Sequence, residues 1–131
     1  MRVSGTLLKR YTNYEEVIIK GLAAELSEYR EKLHSLLGRI KDLHKIVSKN
    51  YYHPGFHGSF SIKSVLPALV PEMSYQNLDI QEGQLASLEY MRMIDPFTSA
   101  KKIIKKNLLS YCSYDTLAML KIREELLRRF K

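Results

Sequence analysis

Apolar residues recur every three or four positions along most of this 131-residue chain, the spacing that places them on one face of an α-helix. The clearest run covers residues 29–49 and predicts a single helix there. Its apolar positions are Leu33, Leu36, Leu37, Ile40, Leu43 and Val47. One short strand is predicted at residues 3–10. The sequence therefore predicts a mainly α fold with at most one or two short strands.

Further helices are predicted on both sides of this run. Asn13 is an N-cap candidate with Glu16 three residues later, which is the capping-box arrangement, so we expect a helix over 13–26. Later helices are predicted at 62–69 and 82–94, and one or two helices at 98–129. On the first helix the predicted apolar face consists of Tyr14, Val17, Ile18, Leu22 and Leu26.

The chain is basic, with 21 Lys and Arg against 14 Asp and Glu and a formal net charge of +7. A surplus of this sign suits a polyanion such as nucleic acid, although many small soluble proteins are also basic. The candidate nucleic-acid contacts are Lys63, at a predicted helix start, and a cluster on one helix: Lys101, Lys102, Lys105 and Lys106. The alternative for these lysines is a solvated helix face.

Cys112 is the one cysteine, which excludes a disulfide or a cysteine-based zinc site within a single chain. The first residues lack the apolar run of a signal peptide, and no apolar stretch of about 18 residues is present to span a membrane. These observations predict a soluble cytoplasmic protein without a membrane partner.

Asp115 is the residue whose position most needs an explanation. At the helical spacing it lies in the middle of an apolar face, with Tyr111 one turn before it and Met119 one turn after. A carboxylate on such a face is costly unless it is paired, hydrogen-bonded or bound to a cation. Three interpretations stay open: an N-cap where a new helix begins, a salt bridge to an arginine, or a metal ligand beside a tyrosine.

Residues 111–119, Tyr-Cys-Ser-Tyr-Asp-Thr-Leu-Ala-Met, resemble the third motif of the DEDDy 3′–5′ exonucleases: a tyrosine, three residues, then an aspartate on a C-terminal helix. A wider pattern resembles a bacterial family known as domain of unknown function 2779. It includes Tyr-Tyr-His-Pro at 51–54, the Gly-Ser-Phe-Ser-Ile-Lys block that begins at Gly58 and extends to Pro71, Ser74-Tyr75, Arg-Ile-Lys-Asp-Leu at 39–43 and the same 111–119 run. This similarity covers about residues 11–127.

The resemblance implies the C-terminal, helix-rich portion of a DnaQ-like, ribonuclease-H-like α/β domain. Such exonucleases hold two Mg²⁺ or Mn²⁺ ions with four carboxylates. The resemblance makes Asp115 a metal ligand and Tyr111 the residue that orients the attacking water. Glu15, where the second motif is expected, is the candidate second metal ligand. Its alternative is an ordinary acid in the first turn of a helix.

An Asp-x-Glu strand should come before the second motif, but none of the thirteen residues before Tyr14 is Asp or Glu. This chain therefore cannot supply two of the four carboxylates. We expect one partial exonuclease-like domain over 1–131 that is inactive alone: a fragment, a decayed or split gene product, or a chain completed by a second chain or a homo-oligomer. The alternative is a non-catalytic helical module that binds nucleic acid or protein.

Overall fold

Helices make up most of the chain in the computed structural model, which describes residues 7–9 and 14–130. Two compact units are present, Met1–Tyr52 and His53–Lys131. The first contains β1 (Leu7–Lys9), α1 (Tyr14–Glu25), α2 (Arg30–Leu37), β2 (Ile40–Asp42) and α3 (Leu43–Asn50). The second contains α4 (Ile62–Leu69), α5 (Gly83–Ile94) and α6 (Lys101–Arg129). The predicted mainly α fold, with two short strands, is confirmed.

The prediction of a single helix over residues 29–49 is wrong. α2 ends at Leu37, and β2 and α3 follow it. β2 pairs in parallel with β1, with Leu7 opposite Ile40. The side chain of Asp42 then begins α3 by accepting a hydrogen bond from the backbone N–H of Lys45 at 3.1 Å. Gly38 has a weak helix propensity, so pairing with β1 can interrupt a helix that the apolar spacing alone favours.

The first unit also differs from the sequence prediction in how α1 packs. Its buried residue is Ala23, at 1% exposure. The apolar face that the spacing predicted is exposed at every position: Tyr14, Val17, Ile18, Leu22 and Leu26. The predicted strand is found over Leu7–Lys9, whereas residues 3–6, residue 10 and the N-cap candidate Asn13 lie outside the described residues.

The core of the second unit lies where α4 and α6 pack together, with the 3-10 turn Pro54–Phe56 beneath α4. Its largest fully buried side chains are Phe56, Leu66, Ile122 and Val65. Ser61 begins α4 by accepting a hydrogen bond from the backbone N–H of Ser64. Residues 98–129, predicted as one or two helices, form the single 29-residue helix α6. The predictions for 62–69 and 82–94 are confirmed to within a residue.

Across residues 7–9 and 14–130, none of the helices combines the length and the hydropathy that crossing a bilayer requires.

Candidate functional site

Asp115 lies within the continuous helix α6, so the interpretation of Asp115 as the N-cap of a new helix is wrong. Its side chain is half-buried. Tyr111, one turn before it, is 6% exposed, and Ala118 and Ile122 on the same side of the helix are 0% and 1% exposed. The carboxylate is therefore located on the packed face of α6, as the spacing predicted.

The carboxylate of Asp115 is hydrogen-bonded to Tyr75. The Tyr75 hydroxyl donates a hydrogen bond of 2.7 Å to Oδ1 of Asp115, and the ring of Tyr75 is 4% exposed. A hydrogen bond to an ionised acceptor is stronger than a neutral one and fixes the direction of the carboxylate. Tyr75 belongs to the sequence pattern that resembles DUF2779 but was given no role at the site, because it lies forty residues from Asp115 and is one of nine tyrosines in the chain.

A second tyrosine attaches the same segment to α6. The Tyr114 hydroxyl donates a 2.7 Å hydrogen bond to the backbone carbonyl of Ser74. The rings of Tyr75 and Tyr114 meet edge to face, with centroids 5.2 Å apart. Ser74 also begins the 3-10 turn Tyr75–Asn77 by accepting from the backbone N–H of Gln76 at 3.1 Å. The segment that carries Tyr75 is therefore attached to α6 by the Tyr114 hydrogen bond and by the ring contact.

Tyr111, the predicted water-orienting residue, lies one turn before Asp115 on α6, as its spacing requires. A Cβ atom added to Gly83 would lie 3.8 Å from the Tyr111 hydroxyl oxygen. That hydroxyl is therefore beside the first residue of α5, in a setting where the ring is largely buried. The role of Tyr111 toward water stays a prediction.

Glu15 lies in the first turn of α1, in the first unit. Its side chain is half-buried, and within the described part of the chain its Oε2 atom is buried with no hydrogen-bond partner. A buried carboxylate oxygen without a partner is costly, so a cation or a donor supplied from elsewhere would stabilise it. Asp115, the other predicted ligand, belongs to the second unit.

The carboxylate oxygens of Asp115 and Glu15 are of the type that Mg²⁺ and Mn²⁺ prefer. Among the described residues, however, no group of three or more His, Cys, Asp and Glu side chains comes together to hold a metal ion. The residues outside that part of the chain include none of these four types. The donors of this chain by themselves therefore do not fit a two-metal centre.

The predicted nucleic-acid contacts have different surroundings. Lys63 lies in the first turn of α4, where its Nζ is 3.7 Å from a carboxylate oxygen of Glu82, and both side chains are well exposed. The four lysines of the α6 cluster are all exposed: Lys101, Lys102, Lys105 and Lys106. None of the ion pairs found in residues 14–130 includes any of these four. Their charge is available to an external anion.

The C-terminal end of α6 contains a cluster of ion-paired side chains, in contrast to the four lysines at its N-terminal end. Glu125 accepts from Arg128 at 2.6 and 2.8 Å and from Arg129 at 2.7 Å. Hydrogen bonds first from Arg128 and then from Arg129 lower the pKa of Glu125 from 4.5 to about 2. The stabilisation from this cluster is complete above the unfolded-state pKa of 4.5 and is lost as the pH falls through about 2.

We expect the side-chain carboxyl of Glu125 to titrate with a midpoint near 2 in a carbon-detected NMR experiment. Replacing both Arg128 and Arg129 by glutamine should return the pKa toward 4.5, because the donors that favour the charged form are gone. High salt should weaken the shift, since the side chain of Arg128, its main cause, is 71% exposed to solvent. An unchanged midpoint in the double variant would show that the arginines are not its cause.

Comparison with known families matches residues 4–61 to a family described as Domain of unknown function (DUF2779). The matched range includes the 39–43 and 51–54 stretches but is less than half of the chain and does not reach Tyr111 or Asp115. The resemblance to DUF2779 is confirmed for this part. Its extension to residue 127 and the likeness to exonucleases stay predictions. The same comparisons found no matching curated protein and no matching solved structure.

Proposed function

We propose that this chain is the C-terminal portion of a metal-dependent 3′–5′ exonuclease-like domain that processes nucleic acid and is inactive alone. The observation that carries the proposal is the carboxylate of Asp115 on the packed face of α6. The Tyr75 hydroxyl orients it from 2.7 Å, and Tyr111 lies one turn before it. A half-buried carboxylate in a single orientation costs folding free energy. Such carboxylates are typical of groups that bind or react.

In this proposal Asp115 and Glu15 are the two carboxylates that the chain contributes to a site for Mg²⁺ or Mn²⁺. The remaining carboxylates come from a second chain or from another copy in a homo-oligomer. The buried, unpartnered Oε2 of Glu15 supports this role, because an arriving cation would remove its desolvation cost. The exposed apolar face of α1 supports completion by another chain, since burying it would be favourable.

The test compares the purified chain with Asp115→Asn in two assays. Manganese binding should be weak in the wild type and about ten-fold or more weaker in Asp115→Asn, since even changes outside the ligand shell act in that range. Asp79→Asn, which removes an exposed carboxylate in the same unit, is the matched control and should bind as the wild type does. Equal manganese binding by the wild type and Asp115→Asn would refute the site assignment.

The second assay follows degradation of an end-labelled single strand with manganese. We expect no loss of label, because the chain lacks the Asp-x-Glu carboxylates. Degradation by the wild type but not by Asp115→Asn would mean that copies of the chain complete the site between them. Degradation by both proteins would point to a contaminating nuclease and would give Asp115 no role in it.

The second candidate function is a non-catalytic helical module that binds nucleic acid or protein. The exposed α6 lysines, which have no ion pairs among residues 14–130, favour it. The missing Asp-x-Glu pair favours it too. Strand binding that needs no divalent metal, together with manganese binding that does not depend on Asp115, would select this function over the first.

A further inference from the structure

The turn between α5 and α6 presents an aromatic ring to solvent. Phe97 is 95% exposed, the highest exposure of the large hydrophobic side chains in the described residues. Asp95 braces the turn in two ways: its side chain accepts from the backbone N–H of Phe97 at 2.9 Å, and its carbonyl accepts from Thr98 at 3.2 Å. Pro96 restricts the backbone at the next position. The ring is therefore held outward by an ordered turn.

Positive charge begins immediately after this turn. The first lysine of α6, Lys101, follows Phe97 by four residues, and two shallow surface hollows are lined in part by the lysines of the cluster. The sequence 95–106 contains one acid, Asp95, whose carboxylate is engaged by the turn itself. Phe97 and these lysines, which take part in none of the ion pairs found in residues 14–130, thus both lie at the N-terminal end of α6.

The architecture of α6 argues against a lipid surface as the partner. A helix that lies on a membrane needs an apolar face free to enter the bilayer, with its basic residues on the other side. The apolar face of α6 is already used by the core: Ile104, Tyr111, Ala118 and Ile122 are buried. What stays outside near its start is mainly lysine, with Ile103 as the apolar exception.

We propose that this corner, residues 95–106, binds single-stranded nucleic acid, with Phe97 stacked on an unpaired base and the α6 lysines contacting backbone phosphates. An aromatic platform beside a cationic groove is how proteins hold single strands without reading their sequence. A paired base would not offer its face to the ring. This inference rests on the second candidate function, binding of nucleic acid by the α6 lysines, and it involves neither Asp115 nor Glu15 and needs no metal.

The first test uses the absence of tryptophan from the chain. Phe97→Trp creates a single reporter at the tip of the turn. Titration with a short oligothymidylate, in the presence of a chelator of divalent metals, should quench its fluorescence as the indole stacks on a base. Leu88→Trp is the control, because Leu88 is also exposed, at 64%, but lies on α5 away from the turn. Its fluorescence should stay unchanged.

The second test measures affinity by anisotropy of a labelled oligothymidylate. Phe97→Ala should weaken binding roughly 5- to 150-fold, the range for loss of one stacked base, whereas Phe97→Tyr should keep it. A double variant, Lys105→Gln with Lys106→Gln, should lower the slope of log affinity against log salt by about 1.4, for two lost phosphate contacts. Inorganic polyphosphate, which has no bases, should bind wild type and Phe97→Ala equally.

Each other outcome overturns the proposal. Equal oligonucleotide affinity of wild type and Phe97→Ala would show that Phe97 does not stack on a base. A duplex bound as tightly as the single strand would show the same. An unchanged salt slope in the lysine variant would show that Lys105 and Lys106 do not contact phosphates. A blue shift of the Phe97→Trp emission on anionic phosphatidylserine vesicles, without quenching by the oligonucleotide, would assign the corner to a lipid surface. Circular dichroism confirms that each variant is folded.

Discussion

Replacing Phe56 by alanine should lower the free energy of unfolding of the second unit by about 3 to 5 kcal/mol. Phe56 is 0% exposed and lies in the 3-10 turn that packs beneath α4. Its ring centroid is 5.9 Å from that of Phe60, in an edge-to-face arrangement, and 5.9 Å from that of His53. Removing the ring exposes these neighbours and leaves a cavity that the surrounding helices cannot fill completely.

The turn around Phe56 has little freedom to adjust. The backbone N–H of Gly55 donates to Nδ1 of His53 at 3.0 Å, and a Cβ on Gly55 would lie 3.0 Å from the Cβ of Ala68. His57 then adopts a left-handed conformation, with φ of 50°. Because the chain lies closely against α4 at Gly55, directly before Phe56, we expect the cavity to collapse only partly, which places the loss toward the upper end of the range.

Urea denaturation followed by circular dichroism measures this loss, and Phe97→Ala is the matched control. The same atoms are removed there, but Phe97 is 95% exposed, so the free energy of unfolding should change by less than about 0.5 kcal/mol. If the second unit has less stability than Phe56 contributes, Phe56→Ala will be unfolded without urea. A loss below about 1 kcal/mol would mean that Phe56 is not a core residue.

The second large effect concerns Tyr75 and Asp115. Tyr75→Phe removes the hydroxyl that donates to Asp115 Oδ1, and we expect it to lower the free energy of unfolding by about 1.5 to 3 kcal/mol, because the acceptor is a half-buried charge. Tyr114→Phe is the control. It removes a hydroxyl bond of the same 2.7 Å length, but to the neutral carbonyl of Ser74, so its cost should be only about 0.5 to 1.5 kcal/mol.

A double-mutant cycle measures the coupling free energy between the side chains of Tyr75 and Asp115. Asp115→Leu takes the acceptor from the buried Tyr75 hydroxyl and should also be destabilising. Tyr75→Phe combined with Asp115→Leu should be close to the wild type in stability, since replacing both members of a polar pair by apolar groups is often neutral or better. That result would mean that the pair is not kept for stability, which supports a role for the carboxylate in binding.

Urea denaturation of the four proteins measures the coupling. A coupling energy below about 0.5 kcal/mol would show that the two side chains act independently, and it would contradict the geometry of the site. The double variant would then be as unstable as the sum of the two singles, and the Tyr75 hydroxyl would not be what orients Asp115.

The position of Asp115 shows what the local sequence pattern can predict and what it cannot. The helical spacing placed it on the packed face of α6, one turn after Tyr111, and the structure confirms that position. The same spacing left an N-cap as an alternative and selected no partner. The N-cap was excluded by the continuity of α6, and Tyr75 was identified by a contact across forty residues. Sequence periodicity has no information on such a contact, because it depends on how separate elements pack.

Residues 29–49 are a region where the local sequence pattern predicted the wrong secondary structure. The apolar spacing there is as regular as in any true helix, yet Ile40–Asp42 is a strand and Asp42 begins a new helix. The decision depends on β1, whose backbone pairs with these residues in parallel. An apolar residue at a three- or four-residue spacing can also be buried from a strand, so the spacing does not by itself establish a helix.

By itself, the sequence determined the mainly α class, the positions of α4, α5 and α6, and the carboxylate on the packed face of α6. These follow from helix periodicity, turn residues and caps, which act over a few residues. Only the tertiary structure decided the pairing of β1 with β2, the exposure of the α1 face and the support of Asp115 by Tyr75. Each of these depends on free energies between segments far apart in the chain, where local preference is overridden by packing and backbone pairing.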